Sequence, residues 1–215
     1  MYKAVVFDMD GVIFDSEKVY RIMERNEALK YGLDESKIET FCEAAAGGTK
    51  EVNKINFETI FETDIDYYQY REGVMSSVDE FANTQGYELK KGVVELLDLL
   101  KEKNIKIALA TSTQKDRAVK HLKAHNLYDY FDGFVFGDMI KNGKPAPDIY
   151  LKACEIVGVK PEESVGVEDS INGILSSHSA GLYTVMVIDL IQPNEKIDGK
   201  ADLICNDLTE MMHLF

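Results

Sequence analysis

Short, continuously apolar runs punctuate this chain, and helical periodicity fills most of the intervals between them. The first run, Ala4 to Phe7, ends in Asp8-Met9-Asp10-Gly11. Similar runs span Ile105 to Ala110, Gly133 to Phe136, Ser164 to Val167 and Tyr183 to Val187, with a shorter one at Asp202 to Cys205. A run apolar on both faces marks a strand buried inside a parallel sheet. Between the runs, Val93, Leu96, Leu97 and Leu100 mark a helix closed by Asn104, and Ala118, Leu122 and His125 mark another. Tyr150, Ala153, Cys154 and Val157 lie on a third, closed by Gly158; Ile171, Ile174, Leu175 and His178 lie on a fourth, closed by Gly181. Asp207 and Glu210 form a capping-box pattern for a last helix. Strands alternating with helices predict an α/β fold with a doubly wound, mostly parallel sheet.

The stretch from 15 to 87 breaks this rhythm. Ser16 is placed to cap a helix carrying Val19, Ile22, Met23 and Leu29, with Gly32 ending it. No buried strand follows before Tyr87. The residues are polar and helix-prone, with Phe57, Phe61, Tyr67, Tyr68 and Tyr70 among them. This predicts a helical domain, 15–87, inserted into an α/β domain formed by 1–14 and 88–215. The aromatic residues read as the packing of that small bundle.

Composition narrows the classes. The chain has 215 residues, 38 acidic against 24 basic, for a net charge of −14. No basic face is available for nucleic acid, and anionic membranes are disfavoured too. No apolar run approaches transmembrane length. Three scattered cysteines without CxxC spacing, Cys42, Cys154 and Cys205, read as packed thiols in a reducing compartment. The first strand begins by residue 3, which leaves no room for a signal peptide, so a cytoplasmic protein is expected. It is expected to be a monomer.

Ligands of a doubly wound sheet bind at the carboxyl ends of its strands, and there the chemistry gathers. The first strand delivers Asp8 and Asp10, the second Thr111-Ser112-Thr113, the loop after the third Lys144, the fourth Glu168-Asp169. Alone, each has an ordinary explanation: a solvated acid, a helix cap, a surface lysine, an acidic helix start. All four at equivalent topological points are harder to explain that way. Carboxylates from two strands suit a hard cation with oxygen ligands, Mg²⁺ above others, and no Cys/His cluster supports zinc. Thr111 and Ser112 offer hydroxyls and helix-start amides to an anion, and Lys144 offers a point charge. These parts beside a carboxylate suit phosphoryl transfer on a small phosphorylated metabolite. Asp8 is the candidate nucleophile and Asp10 the candidate general acid and base.

Asp8-Met9-Asp10-Gly11-Val12, Thr111, Lys144 in Gly-Lys-Pro-Ala-Pro-Asp, and Glu168-Asp169 in Gly-Val-Glu-Asp-Ser together resemble the four motifs of the haloacid dehalogenase superfamily. Their order and spacing match along the whole chain. The resemblance implies a Rossmann-like core, with metal ligands at Asp8, Glu168, Asp169 and the main-chain carbonyl of Asp10. The helical insertion is similar to the cap of the subgroup containing β-phosphoglucomutase and many sugar-phosphate phosphatases; such a cap closes over the site and selects substrate. The namesake dehalogenases lack the second aspartate and the metal acids, which this chain has.

Three positions separate phosphatase from mutase. The subgroup's mutase carries Gly-x-Ser/Thr-Arg in the cap, whose arginine grips a distal phosphate; here the stretch is Gly47-Gly48-Thr49-Lys50, which loses the bidentate fork. Tyr20 stands where the mutase has a histidine. Gln114 and Lys115 alter the sugar-contacting loop. A phosphatase acting on a sugar phosphate is therefore expected, with Lys50 and Arg71 as substrate-binding cap residues and a mutase as the alternative. A non-catalytic binding protein would be expected to carry a damaged motif, and none is damaged. His121, His125, His178 and His213 suggest no site; His178 is expected in the core.

Overall fold

The computed structural model describes residues 2–45 and 50–215. Strand β1 (Ala4–Phe7) is followed by helices α1 (Ser16–Lys30), α2 (Glu35–Ala45), α3 (Lys50–Phe61) and α4 (Tyr67–Thr84). Then come α5 (Val93–Glu102), β2 (Lys106–Ala110), α6 (Lys115–Ala124) and β3 (Gly133–Val135). The chain continues through α7 (Asp148–Val157), β4 (Ser164–Glu168), α8 (Ile171–Ala180), β5 (Tyr183–Val187) and β6 (Leu203–Cys205). It closes on a 3₁₀ helix, Leu208–Leu214. No helix among the described residues is long and apolar enough to cross a membrane.

The chain divides into two compact units, Met1–Asp15 with Glu88–Phe215, and Ser16–Tyr87. Asp15, assigned from the sequence to the helical segment, falls in the α/β unit, where its N–H donates to Glu88 O at 2.9 Å.

In the α/β unit the strands form one parallel sheet in the order β3-β2-β1-β4-β5-β6. This is the doubly wound sheet expected from the apolar runs. The chain winds outward from β1 through β2 to β3, then returns to β4 on the other side of β1. That reversal makes the carboxyl end of β1 the topological switch point, the place where sheets of this kind bind their ligands. Register carries this to single residues: Phe7 pairs with Leu109 of β2 and Val167 of β4. Asp8 therefore emerges between the ends of β2 and β4. Helix α7 packs on β1, β2 and β3, and α8 on β4 and β5. Val6, Ala108, Ala110, Val135, Tyr150 and Ala153 are buried together there.

The Ser16–Tyr87 unit is built around aromatic rings. Phe41, Phe57, Phe61, Tyr67 and Tyr70 are buried, whereas Tyr68 is exposed. Phe57 sits at the centre, its ring centroid 4.6 Å from Tyr70, 5.2 Å from Phe61 and 5.5 Å from Phe41. Phe57→Ala is expected to cost this unit about 3–5 kcal/mol. Urea unfolding followed by near-ultraviolet circular dichroism of the tyrosines measures it; a loss below about 1 kcal/mol would mean that the ring cluster does not hold the bundle.

Three local expectations change. On α1 the buried residues are Ser16, Val19, Glu27 and Ala28, while Ile22 and Leu29 are exposed. The buried face of α8 carries Gly173, Ile174, Ser176 and Ser177, leaving His178 half-buried. Small residues are needed there because β4 passes close: a Cβ on Gly166 would lie 2.1 Å from Ser177 Oγ. The last helix is 3₁₀, and its box is shifted: Asp207 accepts from Thr209 N–H, but Glu210 accepts from Asn206 N–H.

Candidate active site

Asp8 leaves β1 with its N–H donating to Val167 O at 3.0 Å, which ties it to β4. Gly11 then turns the chain at φ +75°, a conformation that only glycine adopts without cost. A side chain here would also have no room, since a Cβ would lie 2.1 Å from Asp169 Oδ2. Asp8, Glu168 and Asp169 are all buried, and an oxygen from each lies within 4.8 Å of the others.

Lys144 enters from the loop after β3, which is fastened to α8 by Ser176 Oγ donating to Ala146 O at 2.6 Å. Its side chain is 8% exposed. Nζ donates to Asp8 Oδ1 at 2.7 Å and also to Glu168 Oε1. Glu168, fully buried, has further donors: Tyr150 OH to Oε1 at 2.8 Å and Ser170 Oγ to Oε2 at 3.1 Å. Ser170 also caps α8, its Oγ accepting from Gly173 N–H at 3.0 Å. One short segment thus starts a helix and fixes a buried charge.

Gly173 must be glycine for a different reason from Gly11. A Cβ there would lie 1.9 Å from Glu168 Cδ. Gly173→Ala is expected to push Glu168 off its donors, lower the thermal midpoint and reduce turnover. Calorimetry with a phosphate-release assay checks this, and wild-type values for both would contradict the tightness of this contact.

The electrostatics follow from burial. Removal from water pushes the Asp8 carboxyl up to about 8, with Glu168 and Asp10 adding to the rise and Lys144 opposing it. Burial alone would lower Lys144, but Asp8 and Glu168 outweigh it and its pKa is raised. Two carboxylates, Asp8 and Glu168, are bonded to one ammonium, and Asp169 brings a third within 4.8 Å of them. Such a donor set, all oxygen and short of positive charge, fits a hard divalent cation.

Asp10 stands apart from that cluster. Its Oδ2 accepts from Thr113 Oγ1 at 2.7 Å, which joins the loop after β1 to the loop after β2. Thr113 N–H in turn donates to Thr111 Oγ1 at 3.0 Å. Thr111 is buried and Ser112 exposed. They were expected at a helix start; α6 instead begins at Lys115 with Gln114 as its N-cap. The intervening residues form a turn closed by the threonine hydroxyl.

The structure thus brings together Asp8, Lys144, Glu168 and Asp169, with Asp10 on Thr113 beside them. Lys50 opens α3 as an exposed residue and Arg71 lies on α4, both in the helical unit. Gly47-Gly48-Thr49 lie outside the described residues. Sequence reasoning placed Thr113 at the end of the second strand without a role, and gave none to Tyr150, Ser170 or Gly173 at the site. Ser170 and Gly173 carry a legible signal, the N-cap of a helix; Tyr150 carries none, because it lies on α7 and its partner ends β4. Of the histidines, His121 and His125 pack on Phe14, with ring centroids 6.2 and 4.9 Å away.

The model of the family described as haloacid dehalogenase-like hydrolase matches residues 2–181. The chain belongs to this family. Among relatives of this haloacid dehalogenase-like hydrolase is a phosphorylated carbohydrates phosphatase of Thermotoga maritima, 38% identical over 202 residues, covering 93% of this chain and 89% of that one. A β-phosphoglucomutase of Bacillus subtilis is 30% identical over 199 residues, covering 86% and 83%. A crystal structure of a candidate β-phosphoglucomutase from Thermotoga maritima superposes with a TM-score of 0.79 at 31% identity, covering 99% and 97%. The resemblance carried by the four motifs is upheld: this is an enzyme of that family, and its relatives include both phosphatases and a mutase.

Proposed function

We propose that this hydrolase is a Mg²⁺-dependent phosphatase that removes phosphate from a small phosphorylated carbohydrate through an aspartyl-phosphate on Asp8. The observation that carries this reading is the convergence of Asp8, Lys144, Glu168 and Asp169 at the switch point of the sheet. Asp8, Asp169, Glu168 and the Asp10 carbonyl would hold the cation, which supplies charge neutralisation to an incoming phosphate and keeps Asp8 ionised.

The chain's own groups then divide the work. Lys144, donating to Asp8 Oδ1, aligns the nucleophile and places a positive charge where the transferring phosphoryl group gathers negative charge. Thr111 Oγ1 accepts from Thr113 N–H and keeps its own proton for a phosphate oxygen, with Ser112 beside it. Asp8 attacks phosphorus, and Asp10, oriented by Thr113, gives its proton to the departing ester oxygen. Asp10 then takes a proton from the water that attacks the acyl phosphate, which frees Asp8 and inorganic phosphate. The helical unit acts as the cap and selects substrate, with Lys50 and Arg71 as its cations. The cysteines are free and buried, which fits the reducing cytoplasm.

A mutase is the second reading, favoured by the β-phosphoglucomutase relative. Against it, Lys50 stands in place of the fork-forming arginine, and the more similar of these two relatives is the phosphatase. A phosphate-release screen over sugar phosphates and nucleotides, with Mg²⁺ or with chelator, tests both. Metal-dependent release from a sugar phosphate is expected. No release from any ester would overturn the phosphatase reading, and conversion of β-glucose 1-phosphate to glucose 6-phosphate faster than release would favour the mutase.

A further inference from the structure

Tyr150 lies on α7 in the packed layer between that helix and the sheet, fully buried beside Val6, Ala153 and Cys154. For packing alone a phenylalanine would fit as well. The hydroxyl instead donates to Glu168 Oε1 at 2.8 Å, the same oxygen that receives Lys144 Nζ. The ring lies beneath the ammonium, with Nζ 5.5 Å from its centroid. Lys144 is thus shared between two carboxylates, and Tyr150 touches only the one that is not the proposed nucleophile.

We propose that Tyr150 is a positioning residue: by donating to Glu168 Oε1 it weakens that carboxylate's hold on Lys144 and keeps the ammonium on Asp8. The physical basis is competition for one cation. Glu168 is shut off from water, so its oxygens must be met by protein donors wherever a bound cation does not meet them. With the hydroxyl in place, Oε1 is met from two sides. Without it, Oε1 turns to the ammonium alone, and Lys144 moves toward Glu168 and away from Asp8. Nothing on α7 other than the hydroxyl is needed for this. The proposal rests on the phosphatase reading for its effect on turnover, but not for its geometry.

Tyr150→Phe keeps the ring and the fold and removes only the donor. Expected is a kcat about tenfold lower with KM within about threefold, the size of one hydrogen bond to a charged group. Cys154→Ala, a packing change on the same helix, should lower the thermal midpoint and leave kcat within about twofold, separating packing from positioning. Crystal structures of wild type and Tyr150→Phe supply a readout independent of turnover: Lys144 Nζ should leave hydrogen-bond distance of Asp8 in the variant. Wild-type kcat in Tyr150→Phe, or a fall matched by Cys154→Ala, overturns the proposal, as does an unmoved Lys144. If wild type itself releases no phosphate, the phosphatase reading fails, and the position of Lys144 in the two crystal structures still decides the positioning claim.

Discussion

Asp8→Asn is expected to abolish phosphate release, with kcat falling by about 10⁴-fold or more, because an amide supplies neither the attacking oxygen nor the charge. The fold survives. Asparagine keeps the shape of the side chain and carries no charge, whereas a charged carboxylate at this buried place is costly without a divalent cation, so burial raises the Asp8 pKa to about 8. In chelator the variant's thermal midpoint should therefore equal or exceed that of wild type. Added Mg²⁺ should raise the wild-type midpoint more than the variant's, since one of the buried carboxylates is gone. Residual turnover within tenfold of wild type would place the nucleophile elsewhere.

Lys144→Met should cost both stability and turnover. Its ammonium is bonded to both Asp8 and Glu168, and its side chain is 8% exposed. Removing one partner of a buried charged set costs about 3–5 kcal/mol, since the remaining charges stay out of water. Denaturant unfolding in chelator measures this. Mg²⁺ should restore part of the stability, because a cation can meet the same carboxylates. Turnover should remain about 10²–10³-fold down even when metal is saturating, since the charge lost is aimed at the transferring group. Full recovery of kcat with Mg²⁺ would show that Lys144 serves only to balance charge.

Much of this arrangement was legible in the sequence because its determinants are local. A short apolar run bounded by turn residues reads as a buried strand, and Ala4–Phe7, Lys106–Ala110 and Ser164–Glu168 lie within a residue of the runs. The left-handed closures at Asn104, Gly158 and Gly181 were visible as single residues. The convergence of Asp8, Lys144, Glu168 and Asp169 was legible through topology, since the ends of strands flanking the switch point come together. What escaped was set by distant partners. Thr113 matters because Asp10 sits on the neighbouring strand's loop, and Tyr150 because Glu168 ends another strand. The α1 face was misjudged for a similar reason. Glu27 is buried where α4 offers Gly73, whose Cβ would lie 2.1 Å from Glu27 Oε1, and no periodicity in α1 itself reveals that.

The division of labour between Asp8 and Asp10 is the centre of the account, and an Asp10→Asn variant tests it most directly. With p-nitrophenyl phosphate the leaving group needs no proton, so attack by Asp8 survives, while hydrolysis of the acyl phosphate loses its base. The variant should release one equivalent of p-nitrophenolate in a burst, and acid quench followed by peptide mass spectrometry should find one phosphoryl group on Asp8. Steady release with no burst and no phosphorylated Asp8 peptide would contradict the account.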